Sequence, residues 1–198
     1  MAGFLCYNST MNIFALDTCP KTAAQYHCDK HVVKMILEYA QLLSTAHRVL
    51  DGEEVMSLSK TNRKVSRWIL PDPLLNERLY FATHVNHPSA IWARESKQNY
   101  EWLYALMVHL MDEYTHRYGK VHKVESDLKT LLATLPQNIK SKGLTEIPQA
   151  MPDHCKIMGN TVSAYRSYYN IEKKGFAKWK NRSRPRWFTP TTLVILDT

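Results

Sequence analysis

The sequence lacks the features that mark disordered, secreted or membrane proteins. It has only 6 glycines in 198 residues and no low-complexity tract, so a folded chain is expected. No apolar run approaches the roughly 18 residues that cross a bilayer, so no membrane partner is predicted. Residues 1–10 contain no Lys or Arg and precede an amphipathic segment. A secretory signal is therefore not indicated, and the expected location is the cytoplasm, that of a host cell if the gene is a phage gene.

Cysteine pairs and nucleotide-binding motifs are also missing. The four cysteines form no CxxC pair, and a chain of this length does not need covalent staples, so free thiols in a reducing compartment are predicted. Nothing in the sequence resembles a GxSxG elbow, a P-loop or a GxGxxG loop. Nucleotide-driven chemistry is therefore unsupported, and no cofactor is predicted.

Composition and length predict one domain over residues 1–198, and the apolar spacing described below makes it mainly α-helical. With 44% hydrophobic residues the chain can bury a proper core, and no internal repeat is visible. Residues 1–10 are a possible extension and residues 177–198 a basic-aromatic tail. The only strand expected is a short one at MNIFAL, residues 11–16.

Apolar residues recur at three- and four-residue spacing in four segments, which predicts four helices. These are residues 30–49, 88–119 with a bend, 124–135 and 160–176. The polar residues 53–73 are predicted to form a loop, with one helical turn near 64–69. Ser96 and Asn99 lie inside the longest pattern, where a buried hydrogen-bond network is the expected reason for them and ligand binding the alternative.

Positive charge is concentrated near the carboxyl end. The net charge is +8, and residues 166–186 hold eight cations against one acid, which favours a polyanionic partner. The block KWKNRSRPRWF, residues 178–188, alternates aromatic rings with five cations, as in surfaces that hold phosphates and stack on bases. The alternatives are a solubilising tail and a tryptophan that anchors the tail to the core.

The segment HCDKHVVKMILE, residues 27–38, carries the candidate active site. A helical advance of about 100° per residue from His27 puts a row of polar side chains on one face. This row is His27, Lys30, His31, Lys34, Glu38, Gln41, Thr45 and Arg48. Two histidines beside a lysine and a glutamate assemble groups that titrate or donate near neutral pH. The plain alternative is a solvent-exposed face with ion pairs one turn apart.

Two further interpretations concern the same segment. Asp29 is expected to cap the helix that begins at Lys30, with a catalytic carboxylate as the alternative. The HxxxH spacing of His27 and His31 could hold a metal ion, but Cys28 stands where HExxH sites have their general-base glutamate. No metal site is therefore predicted.

Four motifs carry a resemblance to a known family. MNIFALD at residue 11, HVVKMILEYAQLL at 31, HPSAIWARES at 87 and LMDEYTHRYGK at 110 resemble the layout of the pyrimidine-dimer DNA glycosylase superfamily of phages and bacteria. The closer pattern, with PQAMPD and YRSYY added, resembles a group of uncharacterised phage proteins. The resemblance covers most of residues 11–188 and is one of fold.

This resemblance implies an amine that attacks C1′ of a damaged nucleotide, and a glutamate that assists base loss and strand cleavage through a Schiff base. Glu38 matches the family glutamate in position. The family amine is the terminal amine of residue two, whereas here ten residues precede Met11, and Asn12 follows it. A lysine would then supply the amine, and Lys34, one turn before Glu38, is the best placed.

The predicted function is that of a phage-type DNA glycosylase or lyase acting on a modified or damaged pyrimidine. The alternatives are a transferase of a phage thymine hypermodification pathway, a non-catalytic nucleic-acid-binding accessory protein and a metal-dependent hydrolase. The predicted catalytic residues are Glu38, Lys34, His31 and His27. DNA is the predicted partner through sequence-nonspecific backbone contacts. The predicted contacts are Lys30, Arg48, Arg94, Lys178, Trp179, Lys180, Arg182, Arg184, Arg186 and Trp187.

Overall fold

The computed structural model describes residues 11–59 and 61–190. Within them the fold is mainly α-helical, as predicted, with one antiparallel hairpin. The elements are α1 (Pro20–Tyr26), α2 (Asp29–Asp51), β1 (Glu53–Leu58), β2 (Lys64–Ile69), α3 (Pro73–Arg78), α4 (Pro88–Glu95), α5 (Lys97–Tyr118), α6 (Lys123–Leu132) and α7 (Thr161–Tyr168). A 3₁₀ turn at Asp153–Cys155 and a π-helical turn at Tyr169–Lys173 complete the list. The possible extension at residues 1–10 lies outside the described residues.

Helices α2 and α5 form the centre of the core, with α1 against α5 and α4 against both. The buried apolar stripe of α2 includes Val32, Ile36 and Leu43, as its spacing predicts. Helix α2 ends at Asp51 and is capped by Gly52, whose N–H donates to the Arg48 carbonyl at 2.9 Å. A Cβ at Gly52 would lie 2.5 Å from that oxygen, so any larger residue there would force the backbone to shift. Among the described residues, none of the helices has the length and apolar character needed to cross a bilayer.

The prediction of a strand at residues 11–16 is wrong. These residues are buried in the core but pair with no strand. The N–H groups of Ala15 and Leu16 bond two residues back, to Ile13 and Phe14, both at 2.9 Å. The Phe14 N–H bonds to the Tyr39 hydroxyl at 3.1 Å. The segment thus satisfies its polar backbone locally and through a side chain, which makes it a buried core segment without a ladder.

The predicted loop at residues 53–73 is also wrong, because β1 and β2 form a hairpin there. The register runs from Glu53 opposite Ile69 to Leu58 opposite Lys64. The six residues predicted as a helical turn are therefore β2. Six residues are too few to separate helix from strand by periodicity, and the pairing with β1 decides the outcome.

The long helix predicted from residue 88 to 119 is two helices that meet at Ser96. Ser96 has extended backbone (φ −143°, ψ 143°) and caps α5 by accepting from Gln98 N–H. It also donates to the Gly143 carbonyl at 2.6 Å. The Asn99 amide donates to the Trp92 carbonyl, and its oxygen accepts from the Thr145 N–H, both at 2.9 Å. The expected buried polar network is confirmed, and it ties the segment after α6 to the junction.

Helix ends elsewhere follow the sequence more closely. Gly119 closes α5 in the left-handed conformation, with φ 64°, at the residue where the helix predicted over 88–119 ends. Helix α6 ends at Leu132, three residues earlier than predicted. The helix predicted over residues 160–176 is α7 followed by the π-helical turn. The described cysteines, Cys19, Cys28 and Cys155, are free thiols, as predicted.

Candidate active face of helix α2

His27 is not part of the predicted row. Helix α1 ends at Tyr26, and His27 caps it with extended backbone (φ −60°, ψ 133°). The ring is fully buried, with Nδ1 2.7 Å from the Ala23 carbonyl oxygen and Nε2 3.1 Å from the Tyr39 hydroxyl. Burial lowers the pKa of His27 to about 4, so the ring is neutral at pH 7. The predicted placement of His27 on the active face is wrong, because the chain is not helical between the two helices.

Asp29 does not cap α2, so that prediction is wrong too. The N-cap residue is Cys28, and its side chain makes no capping bond. The Asp29 carboxylate instead pairs with Arg117 at 3.0 Å and accepts the Lys180 backbone N–H at 2.9 and 3.0 Å. Arg117 is fully buried and also pairs with Glu113 at 3.0 Å. The start of α2 is therefore joined to α5 and to the carboxyl-terminal tail.

His31 is a buried member of the predicted row on α2. Its ring stacks on Phe14, with centroids 4.3 Å apart, and its Nδ1 lies 2.5 Å from the Tyr169 hydroxyl. Only 7% of the residue is exposed. Burial holds the pKa of His31 well below its ordinary value, and the charges of Lys173 and Lys34 act in the same direction. A neutral imidazole beside two ammonium groups is therefore expected at pH 7.

Lys34 and Glu38 form the most distinctive pair on this face. The Lys34 amine contacts Glu38 Oε1 at 2.9 Å, and the lysine side chain is 55% exposed against 8% for the glutamate. The other carboxylate oxygen, Glu38 Oε2, is buried and has no hydrogen-bond partner among the described residues. A buried carboxylate oxygen without a partner is costly for stability. Such a cost is often found where a group serves a ligand or a reaction.

The far half of the predicted row is structural. Gln41 is half-buried and Thr45 is buried, with the Thr45 hydroxyl 2.7 Å from the Gln41 carbonyl. Arg48 is 1% exposed. Its guanidinium donates five hydrogen bonds of 2.6–3.0 Å, to the carbonyls of Trp68, Asn76, Leu79 and Tyr80 and to the Asn76 side chain. The prediction that Arg48 contacts DNA is therefore wrong, because all its donors hold β2 and α3 against α2.

The carboxyl-terminal tail packs on the start of α2. The Trp179 indole donates to the Tyr26 carbonyl at 2.9 Å, and its ring meets Phe188 edge-on. Trp187 lies edge-on to Tyr26 and Tyr169, and its indole nitrogen is buried. Both tryptophans therefore anchor the tail, which was the alternative considered above. The prediction that they stack on bases conflicts with this packing.

Cationic residues of the carboxyl-terminal tail lie beside those at the start of α2. The Asp29 N–H donates to the backbone carbonyl of Lys178 at 2.8 Å. The Lys30 amine lies 4.8 Å from the centre of the Phe176 ring. Lys173 donates to the Tyr168 hydroxyl at 2.9 Å. We call this group the basic surface. It consists of Lys30, Lys34, Lys173, Lys178 and Lys180, of which Lys173 is half-buried and the others are exposed.

The other predicted contacts differ in their surroundings. Arg182 pairs with Glu113 at 2.6 Å, which engages much of its guanidinium. Arg184 and Arg186 are exposed. Arg94 of α4 is half-buried near the carboxyl end of α2, where it lines a pocket of about 290 Å³ with Leu50, Lys140 and Lys142. Its Nη1 has no hydrogen-bond partner among the described residues.

Several members of the site have no local sequence signal. Phe14, Tyr169 and Lys173 act on His31 from segments far away in the chain, and Tyr168 stacks on Phe14. The YRSYY pattern and the basic run after it mark the region as aromatic and cationic, but they do not indicate which ring faces α2. Only the packing of α7 against residues 11–16 settles that.

Comparison with known proteins finds no relative of this chain. No family model, no curated protein and no solved structure matches this chain.

Proposed function

We propose that this chain is a DNA-acting enzyme of the glycosylase or lyase type that works on a modified or damaged pyrimidine. In this proposal Lys34 is the nucleophile and Glu38 the acid-base group. His31 is a neutral hydrogen-bonding group at the base of the site. The basic surface, with Arg184 and Arg186, holds the DNA backbone.

The observation that carries the proposal is the state of Glu38. Its carboxylate is buried, yet only one of its oxygens is engaged, by an amine that solvent can reach. An ordinary surface ion pair leaves both partners hydrated, and it needs no burial. A buried carboxylate with one oxygen unengaged instead places a general base within hydrogen-bond distance of an exposed amine, which is one way to activate a nucleophile. The resemblance to the pyrimidine-dimer glycosylases adds Glu38 as the matching glutamate.

The chemistry follows from this pair. Glu38 Oε1 accepts a proton from the Lys34 ammonium, and the neutral amine attacks C1′ of the target nucleotide. The bond from C1′ to the base breaks, and the base leaves with the proton that Glu38 had taken up, which returns Glu38 to the carboxylate. The bond from C1′ to O4′ then breaks, a proton passes from the attached nitrogen to O4′, and the nitrogen and C1′ become a protonated Schiff base. The Glu38 carboxylate then removes a proton from C2′, and the 3′ phosphate leaves by elimination. General acid-base assistance of this kind contributes about 10²- to 10⁴-fold in rate.

The surrounding charge supports a nucleic-acid substrate. Five lysines around the first turns of α2 would neutralise several phosphates and release their counterions. The anchoring tryptophans leave backbone contacts, rather than stacking on Trp179 or Trp187, as the main source of affinity. Binding should therefore weaken steeply with salt and depend little on sequence.

Borohydride trapping tests the proposal directly. The full chain is incubated with duplex DNA containing either an abasic site or ultraviolet-damaged pyrimidines, and the Schiff base is reduced to a stable adduct. Lys34→Arg keeps the charge beside Glu38 but cannot form the adduct. Lys30→Arg, one turn earlier on the same helix, is the matched control. We expect the adduct in the wild type and in Lys30→Arg, and its loss in Lys34→Arg.

The outcomes separate three interpretations. No adduct on either DNA overturns the glycosylase and lyase proposal. An adduct that survives in Lys34→Arg, and that peptide mapping places elsewhere, overturns the assignment of Lys34. Undiminished, salt-dependent DNA binding without an adduct supports the non-catalytic nucleic-acid-binding protein, which the exposed cations also favour.

A further inference from the structure

A histidine, a cysteine and a glutamate meet at the end of α7. His154 and Cys155 come from the 3₁₀ turn, and Glu172 from the π-helical turn. One possible ligand atom from each of them lies within 4.8 Å of the other two. In the part of the chain that the structure describes, this is the one group of at least three such side chains that could hold a metal ion. His27 and His31 do not belong to it.

The segment that carries His154 and Cys155 is held in place by its own hydrogen bonds. Gln149 closes it with a reciprocal pair, accepting from the Ile157 N–H at 2.9 Å and donating to the Ile157 carbonyl at 2.6 Å. The Cys155 N–H bonds to the Pro152 carbonyl at 2.9 Å. Two neighbouring ligands are therefore presented by a short closed loop, and little backbone order would have to be gained on binding.

Glu172 reaches the loop because the chain after α7 widens into a π-helical turn. Such turns are rare in proteins, and those that occur are often found at functional sites. The His154 Nε2–H donates to Glu172 Oε1 at 2.7 Å. Both side chains are partly exposed, at 56% and 38%, whereas Cys155 is 1% exposed. Cys155 is packed in the hydrophobic core, and its sulfur lies within 4.8 Å of ligand atoms of the other two residues.

We propose that His154, Cys155 and Glu172 bind one Zn²⁺ ion. Zn²⁺ takes nitrogen, thiolate sulfur and carboxylate oxygen together, whereas Mg²⁺ and Ca²⁺ take oxygen. Ligand bonds of about 2.0–2.3 Å place the donors of a tetrahedral site about 3.3–3.8 Å apart. The present separations are at most 4.8 Å, so the donor atoms have to shift by about 1 Å to reach that range. Three protein ligands leave the fourth position to water or to an anionic oxygen, as in open zinc sites.

The position of the site relates it to the basic surface. Lys173 follows Glu172 in the chain and is among the cations whose charge acts on His31. A dication held by Glu172 would therefore add positive charge at the edge of that surface. The proposal does not rest on the glycosylase chemistry, because its ligands do not include Lys34 or Glu38.

Cobalt is the probe for the test, since Co²⁺ enters zinc sites and reports thiolate ligation by a charge-transfer band. The full chain is stripped with a chelator and titrated with Co²⁺, and Zn²⁺ affinity is then measured by displacement against a coloured chelator. We expect one Co²⁺ per chain, a thiolate band, and loss of that band on addition of Zn²⁺. The Cys155→Ser variant should lose the band. Its Zn²⁺ affinity should fall by more than the roughly 10- to 100-fold that loss of a ligand's outer partner costs.

Matched controls make the result decisive. Cys19→Ser removes an exposed thiol remote in sequence from the loop and should retain the band. If Cys155→Ser is misfolded by circular dichroism, Glu172→Gln decides instead, because its partly exposed side chain keeps its shape and loses its charge. The proposal is overturned if the wild type gives no thiolate band, if the band persists in folded Cys155→Ser, or if Glu172→Gln binds Zn²⁺ as tightly as the wild type.

Discussion

Acid should destabilise this protein through His27 in particular. The ring lies inside the core, and burial is the largest cause that lowers its pKa to about 4, with a smaller contribution in the same direction from Arg117. In the unfolded chain a histidine has a pKa near 6.5. Between these two pKa values, His27 therefore binds a proton in the unfolded state but not in the folded state. The contribution of neutral His27 is complete above pH 6.5 and is lost as the pH falls towards 4.

The size of the effect follows from the gap between the two pKa values. The difference between about 4 and 6.5 corresponds to about 3 kcal/mol of unfolding free energy. His31 and His47 also have lowered pKa values because of burial, so the total acid sensitivity should be larger. A comparison of variants is needed to isolate the share of His27.

Urea unfolding between pH 7.5 and 4 measures this share. His27→Gln retains a polar side chain but cannot take up the proton, so its stability should fall less with acid, by about 3 kcal/mol, than that of the wild type. His116→Gln, at an exposed histidine, is the control and should follow the wild type. The argument that His27 is buried and neutral would be refuted by an NMR titration that gives it a pKa near 6.5. Equal pH dependence of stability in His27→Gln and the wild type would refute it too.

Three further predictions concern stability and binding. Arg48→Lys replaces five hydrogen-bond donors of a planar guanidinium with three. Denaturant unfolding should therefore show a loss of about 3 kcal/mol, with unchanged DNA affinity. Gly52→Ala puts a Cβ 2.5 Å from a backbone oxygen and should cost about 1–3 kcal/mol. Gly175→Ala, which meets no atom within 4 Å, should be nearly neutral in the same assay. Arg184→Ala with Arg186→Ala should weaken DNA binding and reduce the magnitude of its salt slope by about 2, and an unchanged slope would contradict their assignment as backbone contacts.

Local patterns predicted the elements that depend on neighbours in the chain. Helix α2 follows its three- and four-residue apolar spacing, and Gly119 ends α5 as its position indicates. Ser96 and Asn99 were expected in a buried network, and they form one. In each case the pattern reports burial or backbone conformation over a few residues, which sequence alone specifies well.

Local patterns failed where partners are distant. The hairpin at residues 53–69 was missed because pairing between strands decides it. The predicted row on α2 assumed a continuous helix from His27, but the chain breaks between α1 and α2, and Arg117 of α5 binds the break through the His27 carbonyl. Helical geometry relates residues only while the helix continues, so the row lost its first member.

The sequence by itself determined a mainly helical chain with a basic carboxyl end, and it placed Lys34 and Glu38 one turn apart. Tertiary structure alone decided that Glu38 is buried beside an exposed amine, and that Arg48 holds the hairpin instead of DNA. It also brought Glu172 to His154, 18 residues earlier in the chain. Burial and long-range contact depend on how whole elements pack, and that packing is a property of the assembled core rather than of any short segment.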